Sequence, residues 1–258
     1  MNDRKKREIL VVDDEITVCK SIRQAILSDE YEVDMALSGE EALQKSKEKS
    51  YDLVITDLMM PGISGLDLLK SLKEARPDAT VIMVTGYPTI KTAVESVKRG
   101  AFDYLPKPFT PAELRGLVAR AFKKAEEEDL GKKEVRETRI PPGYHYMLGH
   151  TWIKVEEQNQ ALVGVVPDFL KTVGVITMLE LPKENDALTQ GDVCGKITDA
   201  DNFVHRIWSP ASGRVTEVNA QLAADPSLLR RDPFHSGYLF RLETSNLAED
   251  VKGLLVAQ

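Results

Sequence analysis

The chain has 258 residues, 42% apolar and 29% charged, with a net charge of −7 and a pI near 5.3. That length suits two ordinary domains with buried cores, and the acidic balance argues against a broad nucleic-acid surface, which needs clustered Lys and Arg. No apolar run approaches the ~20 residues of a membrane helix, and the basic start MNDRKKRE leads into a short apolar stretch and two aspartates rather than a secretory signal.

Ile9 to Val12 is a continuous apolar run ending in Asp13 and Asp14, and Val18, Ile22, Ala25 and Ile26 follow at helical spacing. Tyr31 to Ala36 reads as a strand. Ser38, with Glu41 three residues on, reads as a capping box opening a second helix. Leu53 to Thr56 is an apolar run ending at Asp57. Gly65 to Ala75 is helical, with Leu66, Leu69 and Leu72 on one side. Thr80 to Val84 is the next strand, and Ile90, Ala93, Val94 and Val97 form the next helix stripe. Asp103 to Leu105 is a last short strand. Thr110, Pro111 and Glu113 then open a helix with a capping hydroxyl, a first-turn proline and a third-position acid.

Five strands, each followed by a helix, imply an α/β domain with a parallel sheet covered on both faces. Such sheets carry ligand groups at the carboxyl ends of their strands. Asp13 and Asp14 end strand one, Asp57 ends strand three, Thr85 follows strand four and Lys107 follows strand five. Convergence of Asp13, Asp14 and Asp57 would crowd three carboxylates, which a hard divalent ion, Mg²⁺ above all, would neutralise. A carboxylate can attack phosphorus and form an acyl phosphate. Lys107 and the Thr85 hydroxyl would offset charge on the phosphoryl oxygens.

The segments ILVVDDE (9–15), DLVITDLMMPGISG (52–65), VIMVTGY (81–87) and FDYLPKPF (102–109) resemble the response-regulator receiver domain of two-component systems. The resemblance implies a flavodoxin-like fold and phosphoryl transfer from the phosphohistidine of a sensor histidine kinase. It implies Asp57 as phosphoacceptor, Asp14 as a direct Mg²⁺ ligand, Asp13 as a ligand through water and the Met59 backbone carbonyl completing the site. It also implies that Thr85 and Lys107 contact the phosphoryl group and that Tyr104 is an aromatic switch turning inward when Thr85 moves. Without the resemblance, Tyr104 reads as a half-buried strand aromatic.

The apolar stripe of the last helix (Leu114, Leu117, Val118, Ala121, Phe122) stops at Phe122. Residues 123–139 carry twelve charges in seventeen positions with no net charge, which suits a solvated helix or tether interrupted at Gly131. The expected division is therefore a receiver over 1–122, a charged helical linker over 123–143 and a second domain over 144–258.

That second domain shows short strands between Gly, Pro, Asn and Asp turns: Trp152–Val155, Ala161–Val166, Val193–Ile197, Arg214–Val218 and Tyr238–Leu242. This is the pattern of a small β sandwich or barrel. One short helix is expected inside it at 168–176 and a final helix at 244–256. HTWIKVE (150–156), ALVGVVPDFLKTVGVITMLELPKENDAL (161–188) and SPASGRVTEVNAQLAADPSLLRRDPFHSGYLFRLE (209–243) resemble the H protein of the glycine cleavage system, a lipoyl-carrier fold. That family presents its lipoylated lysine on a turn. The corresponding turn here, TDADN (198–202), offers Asp201 or Asn202, neither with an amine, and Lys196 should lie within the strand. No lipoate is expected.

His145, His150, His205 and His235 are widely spaced and read as surface or half-buried side chains rather than metal ligands. Trp152 and Trp208 read as packing residues. Cys19 and Cys194 match no metal spacing and read as buried thiols in a cytoplasmic, reducing setting. The expected function is a phosphorylation-controlled adaptor, not an enzyme, with a histidine kinase and an unknown protein as partners and with no DNA or membrane. Homodimerisation through the receiver is left open. The alternative is a lipoyl carrier or accessory of lipoyl metabolism under phosphorelay control.

Overall fold

The computed structural model describes residues 6–87, 90–129, 140–147, 149–157 and 159–257. The chain divides into two compact units, split between Ala125 and Glu126.

The first unit runs β1 (Arg7–Val12), α1 (Ile16–Ala25), β2 (Tyr31–Ala36), α2 (Gly39–Glu48), β3 (Leu53–Asp57), α3 (Gly65–Ala75), β4 (Thr80–Thr85), α4 (Ile90–Lys98), β5 (Asp103–Pro106) and α5 (Pro111–Asp129). The strands pair in parallel in the order β2-β1-β3-β4-β5. Alternation along β1 shows why its sequence is a continuous apolar run. Ile9 and Val11 pack with Ile22, Ile26, Leu114 and Val118 on one face, whereas Leu10 and Val12 pack with Ala42, Leu68, Leu69 and Leu72 on the other. A strand buried on both faces needs apolar side chains at every position. Both capping hydroxyls act as read, and the reciprocal box closes fully at Thr110. Ser38 Oγ accepts the Glu41 N–H at 3.2 Å, and Thr110 Oγ1 accepts the Glu113 N–H at 3.2 Å. The Glu113 carboxylate returns to the Thr110 N–H at 2.8 Å, while Glu41 reaches one residue further back, to the Leu37 N–H at 2.8 Å.

α5 continues past Phe122 to Asp129. The expected linker interruption at Gly131 lies outside the described residues.

The second unit is mostly antiparallel. It contains β6 (Tyr144–Tyr146), β7 (Thr151–Val155), β8 (Gln160–Val165), α6 (Pro167–Thr172), β9 (Ile176–Glu180), β10 (Ala187–Leu188), β11 (Val193–Asp199), β12 (Val204–Trp208), β13 (Gly213–Val218), α7 (Gln221–Ala224), α8 (Leu228–Arg231), β14 (Phe240–Thr244), α9 (Leu247–Asp250) and β15 (Leu255–Val256). Seven strands form one sheet, β10-β13-β14-β8-β7-β6-β15, and three form another, β12-β11-β9. Trp152, Phe169 and Phe240 are buried in their common core. Trp152 lies so close to Gly164 that a Cβ there would sit 2.2 Å from the indole, so only glycine fits opposite it.

Four sequence expectations change here. The helix expected at 168–176 spans Pro167–Thr172, and Ile176 begins β9. β-branched Val175, Ile176 and Thr177 favour the extended chain. That helix is joined by α7 and α8, single turns too short to show a helical period. The strand read at Tyr238–Leu242 is Phe240–Thr244. The final helix at 244–256 is instead one turn (α9), a 3₁₀ turn at Val251–Gly253 and β15, which pairs with β6. Tertiary contacts break the helix: Asp250 is buried, and its carboxylate accepts the Ser212 N–H at 2.7 Å.

Candidate phosphoacceptor site

In the first unit the chain leaves β1 to build β2 on one side and then returns to build β3 on the other. The carboxyl ends of β1 and β3 therefore flank the switch point, where neighbouring loops part and leave a crevice. Asp13 follows β1 and is 1% exposed, and Asp57 ends β3 and is 6% exposed. Lys107, just beyond β5, reaches both. Its Nζ lies 2.7 Å from Asp13 Oδ2 and 2.8 Å from Asp57 Oδ1. Its backbone N–H donates to the Thr85 carbonyl at 2.7 Å, which ties the end of β5 to that of β4.

The remaining carboxylate oxygens are also held. Asp13 Oδ1 accepts the Glu15 N–H at 3.0 Å, and Asp57 Oδ2 accepts the Met59 N–H at 2.5 Å. Burial pushes the Asp57 carboxyl above its ordinary value. Lys107 and the Met59 N–H oppose that shift, and the Asp13 charge reinforces it. Burial pulls Lys107 down, but its bonds to Asp13 and Asp57 outweigh this and hold the ammonium above its ordinary value. Thr85 is fully buried, and its Oγ1 accepts the Tyr87 N–H at 3.1 Å. Tyr104 is 5% exposed, with its hydroxyl 3.1 Å from Thr92 Oγ1. It is thus buried rather than half-buried.

Asp14 differs from its neighbour: it is exposed. Of the three expected carboxylates, Asp13 and Asp57 share the Lys107 ammonium, and the exposed Asp14 directly follows Asp13. Among the described residues no three His, Cys, Asp or Glu side chains form a ready cluster for a metal ion. One ammonium balances only one of the two buried carboxylates. The residual charge and the all-oxygen donor set at this crevice fit a hard divalent cation such as Mg²⁺.

The turn of the second unit that would carry a lipoyl lysine lies between β11 and β12. Asp201 and Asn202 are exposed at its tip, and Asn202 has φ 61°, a conformation Asn tolerates. Lys196 lies within β11, opposite Glu180 on β9 and Arg206 on β12. A buried Asp199 organises the turn. Its Oδ1 accepts the N–H groups of Asp201 and Phe203 at 3.1 and 3.0 Å, and its Oδ2 lies 2.9 Å from His205 Nε2. Burial pushes the Asp199 carboxyl up, but the bonds to His205 and Phe203 prevail and hold it below its ordinary value.

Sequence reading missed this pair, whose only signal is an Asp before a turn and a His on the returning strand. It also misplaced two histidines: His150 and His205 are 4% and 3% exposed. Both are packed as aromatic discs. His150 lies 5.9 Å from the Phe169 ring and 6.4 Å from Trp208, and His205 lies 6.4 Å from Phe169. Cys19 and Cys194 are buried and free, and burial raises both thiols, Cys19 to about 11.

Fold and site define the class: a flavodoxin-like α/β domain with a lysine-bridged acidic crevice, followed by a mostly antiparallel β domain. Residues 9–119 match the family of the response regulator receiver domain, and residues 144–258 match that of the glycine cleavage H-protein. The chain thus carries a response regulator receiver domain followed by a glycine cleavage H-protein domain.

Transcriptional regulatory protein ZraR of Klebsiella oxytoca is 38% identical over 115 residues, 45% of this chain and 26% of the relative. The chain therefore spans only 26% of that relative's length. A solved receiver domain protein from Clostridium thermocellum is 38% identical, with a TM-score of 0.44, over 46% of this chain and 97% of its own. A solved glycine cleavage system H protein from Mycobacterium marinum is 26% identical, with a TM-score of 0.41, over 46% of this chain and 93% of its own. Among the described residues no helix is long and apolar enough to cross a membrane.

Proposed function

We propose that the chain is a cytoplasmic response regulator that takes a phosphoryl group on Asp57 from a histidine kinase and uses its H-protein domain as a binding output. The observation that carries this reading is the Lys107 ammonium bridging Asp13 and Asp57 at 2.7 and 2.8 Å, at the switch point of the sheet. An Asp57 oxygen forms the new bond to phosphorus as the P–N bond of the donor phosphohistidine breaks. Mg²⁺, held by Asp14, by Asp57, by the Met59 carbonyl and by Asp13 through water, would neutralise charge on the transferring group.

Lys107 is already aimed at Asp57 and follows the charge outward as the phosphoryl group arrives. The Thr85 hydroxyl, now accepting from Tyr87, turns its hydrogen toward a phosphoryl oxygen. Tyr104 lies on β5 beside β4, paired with Met83 two residues before Thr85, so displacement of Thr85 is felt at its ring.

In this reading the second domain binds a protein partner. It neither carries lipoate nor turns over a substrate, and the acidic chain does not contact DNA. Its carrier turn offers aspartate and asparagine, and Lys196 is held between two paired strands. The test is incubation with acetyl phosphate and Mg²⁺. The native chain should gain one base-labile phosphoryl group and Asp57→Asn none, whereas undiminished uptake in the variant would refute the assignment.

A further inference from the structure

The loop joining β3 to α3 follows directly from Asp57, and its course is fixed from both ends. At the start, the Met59 N–H donates to the Asp57 carboxylate. At the end, Gly65 N–H donates to the Leu58 carbonyl at 3.0 Å, and a Cβ on Gly65 would lie 2.0 Å from the Asp57 carbonyl oxygen. A third attachment comes from outside the loop. Glu40, in the first turn of α2, accepts the Ile63 N–H through Oε1 at 3.1 Å. The same oxygen lies where a side chain on Gly62 (φ 74°) would go, 2.5 Å from its ideal Cβ position. Beside it, Gly39 packs against Ile63 so closely that a Cβ would lie 2.7 Å from the Ile63 Cβ. Glu40 is exposed, and its carboxyl is held below the ordinary value first by its own N–H and then by that of Ile63. A solvent-facing glutamate is thus committed to a backbone group twenty-three residues away rather than to a lysine partner.

We propose that Glu40 is a positioning residue of the phosphoacceptor loop, a latch from α2 that holds residues 58–64 so that Met59 and Asp57 present their oxygens together. This rests on the assignment of Asp57 as phosphoacceptor. The latch acts through the geometry of the loop and touches no reacting atom. Its loss leaves Asp57, Lys107 and Thr85 in place but adds an ordering cost whenever the loop must supply the Met59 carbonyl to a cation. The defect therefore appears in the Mg²⁺ requirement rather than in the maximal rate.

The test titrates Mg²⁺ into the full chain and follows two readouts, the melting transition that Mg²⁺ shifts and acetyl phosphate uptake. Glu40→Ala should raise the half-saturating Mg²⁺ about three- to tenfold, the net worth of one exposed hydrogen bond, with a near-native rate at saturation. Glu40→Gln keeps an acceptor oxygen while dropping the charge, and should stay within about twofold of the native chain. Lys47→Ala, an exposed change on the same helix, should behave as native. A native Mg²⁺ dependence in Glu40→Ala would overturn the latch. So would a shift in Glu40→Gln as large as in Glu40→Ala, because charge alone would then account for it. Asp57→Asn run alongside separates the two levels: uptake in that variant overturns the phosphoacceptor reading itself, and the latch with it.

Discussion

Lys107→Met isolates the electrostatics of the crevice. In the native chain the ammonium bonds to two carboxylates that are 1% and 6% exposed. Methionine keeps most of the length of the side chain and removes its charge, leaving Asp13 and Asp57 facing each other without a counter-charge. Deleting one member of a buried ion pair costs about 3–5 kcal/mol. The lower end applies because the Lys107 side chain is itself 24% exposed. A loss of about 3 kcal/mol lowers the melting temperature of a domain this size by roughly 10 °C.

The deficit should depend on pH with a definite sign. Burial already raises the Asp57 carboxyl above its ordinary value with Lys107 in place. A carboxyl raised by folding binds protons more tightly in the folded state, so its contribution improves as pH falls through the folded value and worsens above it. Removing Lys107 raises the carboxyl further, so the variant should recover part of its deficit as pH falls through the folded value. Calorimetry of the full chain measures this, taking the transition that Mg²⁺ shifts as that of the receiver. A variant within about 1 kcal/mol of native stability at neutral pH, with an unchanged pH slope, would refute the shared-ammonium reasoning.

Millimolar Mg²⁺ should raise the receiver transition by linkage, and Asp14→Ala should abolish the rise; a native melt indifferent to Mg²⁺ would count against the site. Asp199 is held below its ordinary value, so its contribution is present above the unfolded value and lost as pH falls through the folded one. Asp199→Asn should therefore cost about 2 kcal/mol near neutral pH and less under acid conditions, read by denaturant melts of the second unit's signal. An equal cost at both pH values would mean that the Asp199 charge is not what matters. Co-expression with a lipoate ligase should leave the intact mass unchanged, because Asp201 and Asn202 have no amine to acylate; one lipoyl group mapped to Lys196 would revive the carrier reading.

The sequence by itself determined the first domain almost completely, and the reason is local. Strands buried on both faces must be apolar throughout, so the residues that end them, Asp13, Asp57, Thr85 and Lys107, stand out against the runs they close. The capping hydroxyls of Ser38 and Thr110 mark helix starts because the orphan N–H groups there require a partner within three residues. Tertiary structure decided what depends on direction and on distant neighbours. It chose Asp13 rather than Asp14 as the carboxylate that shares Lys107 with Asp57. It buried His150 and His205 against Phe169, and it tied Glu40 to Ile63 across twenty-three residues. It also made strands or single turns of 176–180, 221–224, 228–231, 247–250, 251–253 and 255–256, segments of only a few residues each. A segment that short completes too few periods to declare its state, so the packing around it settles the matter.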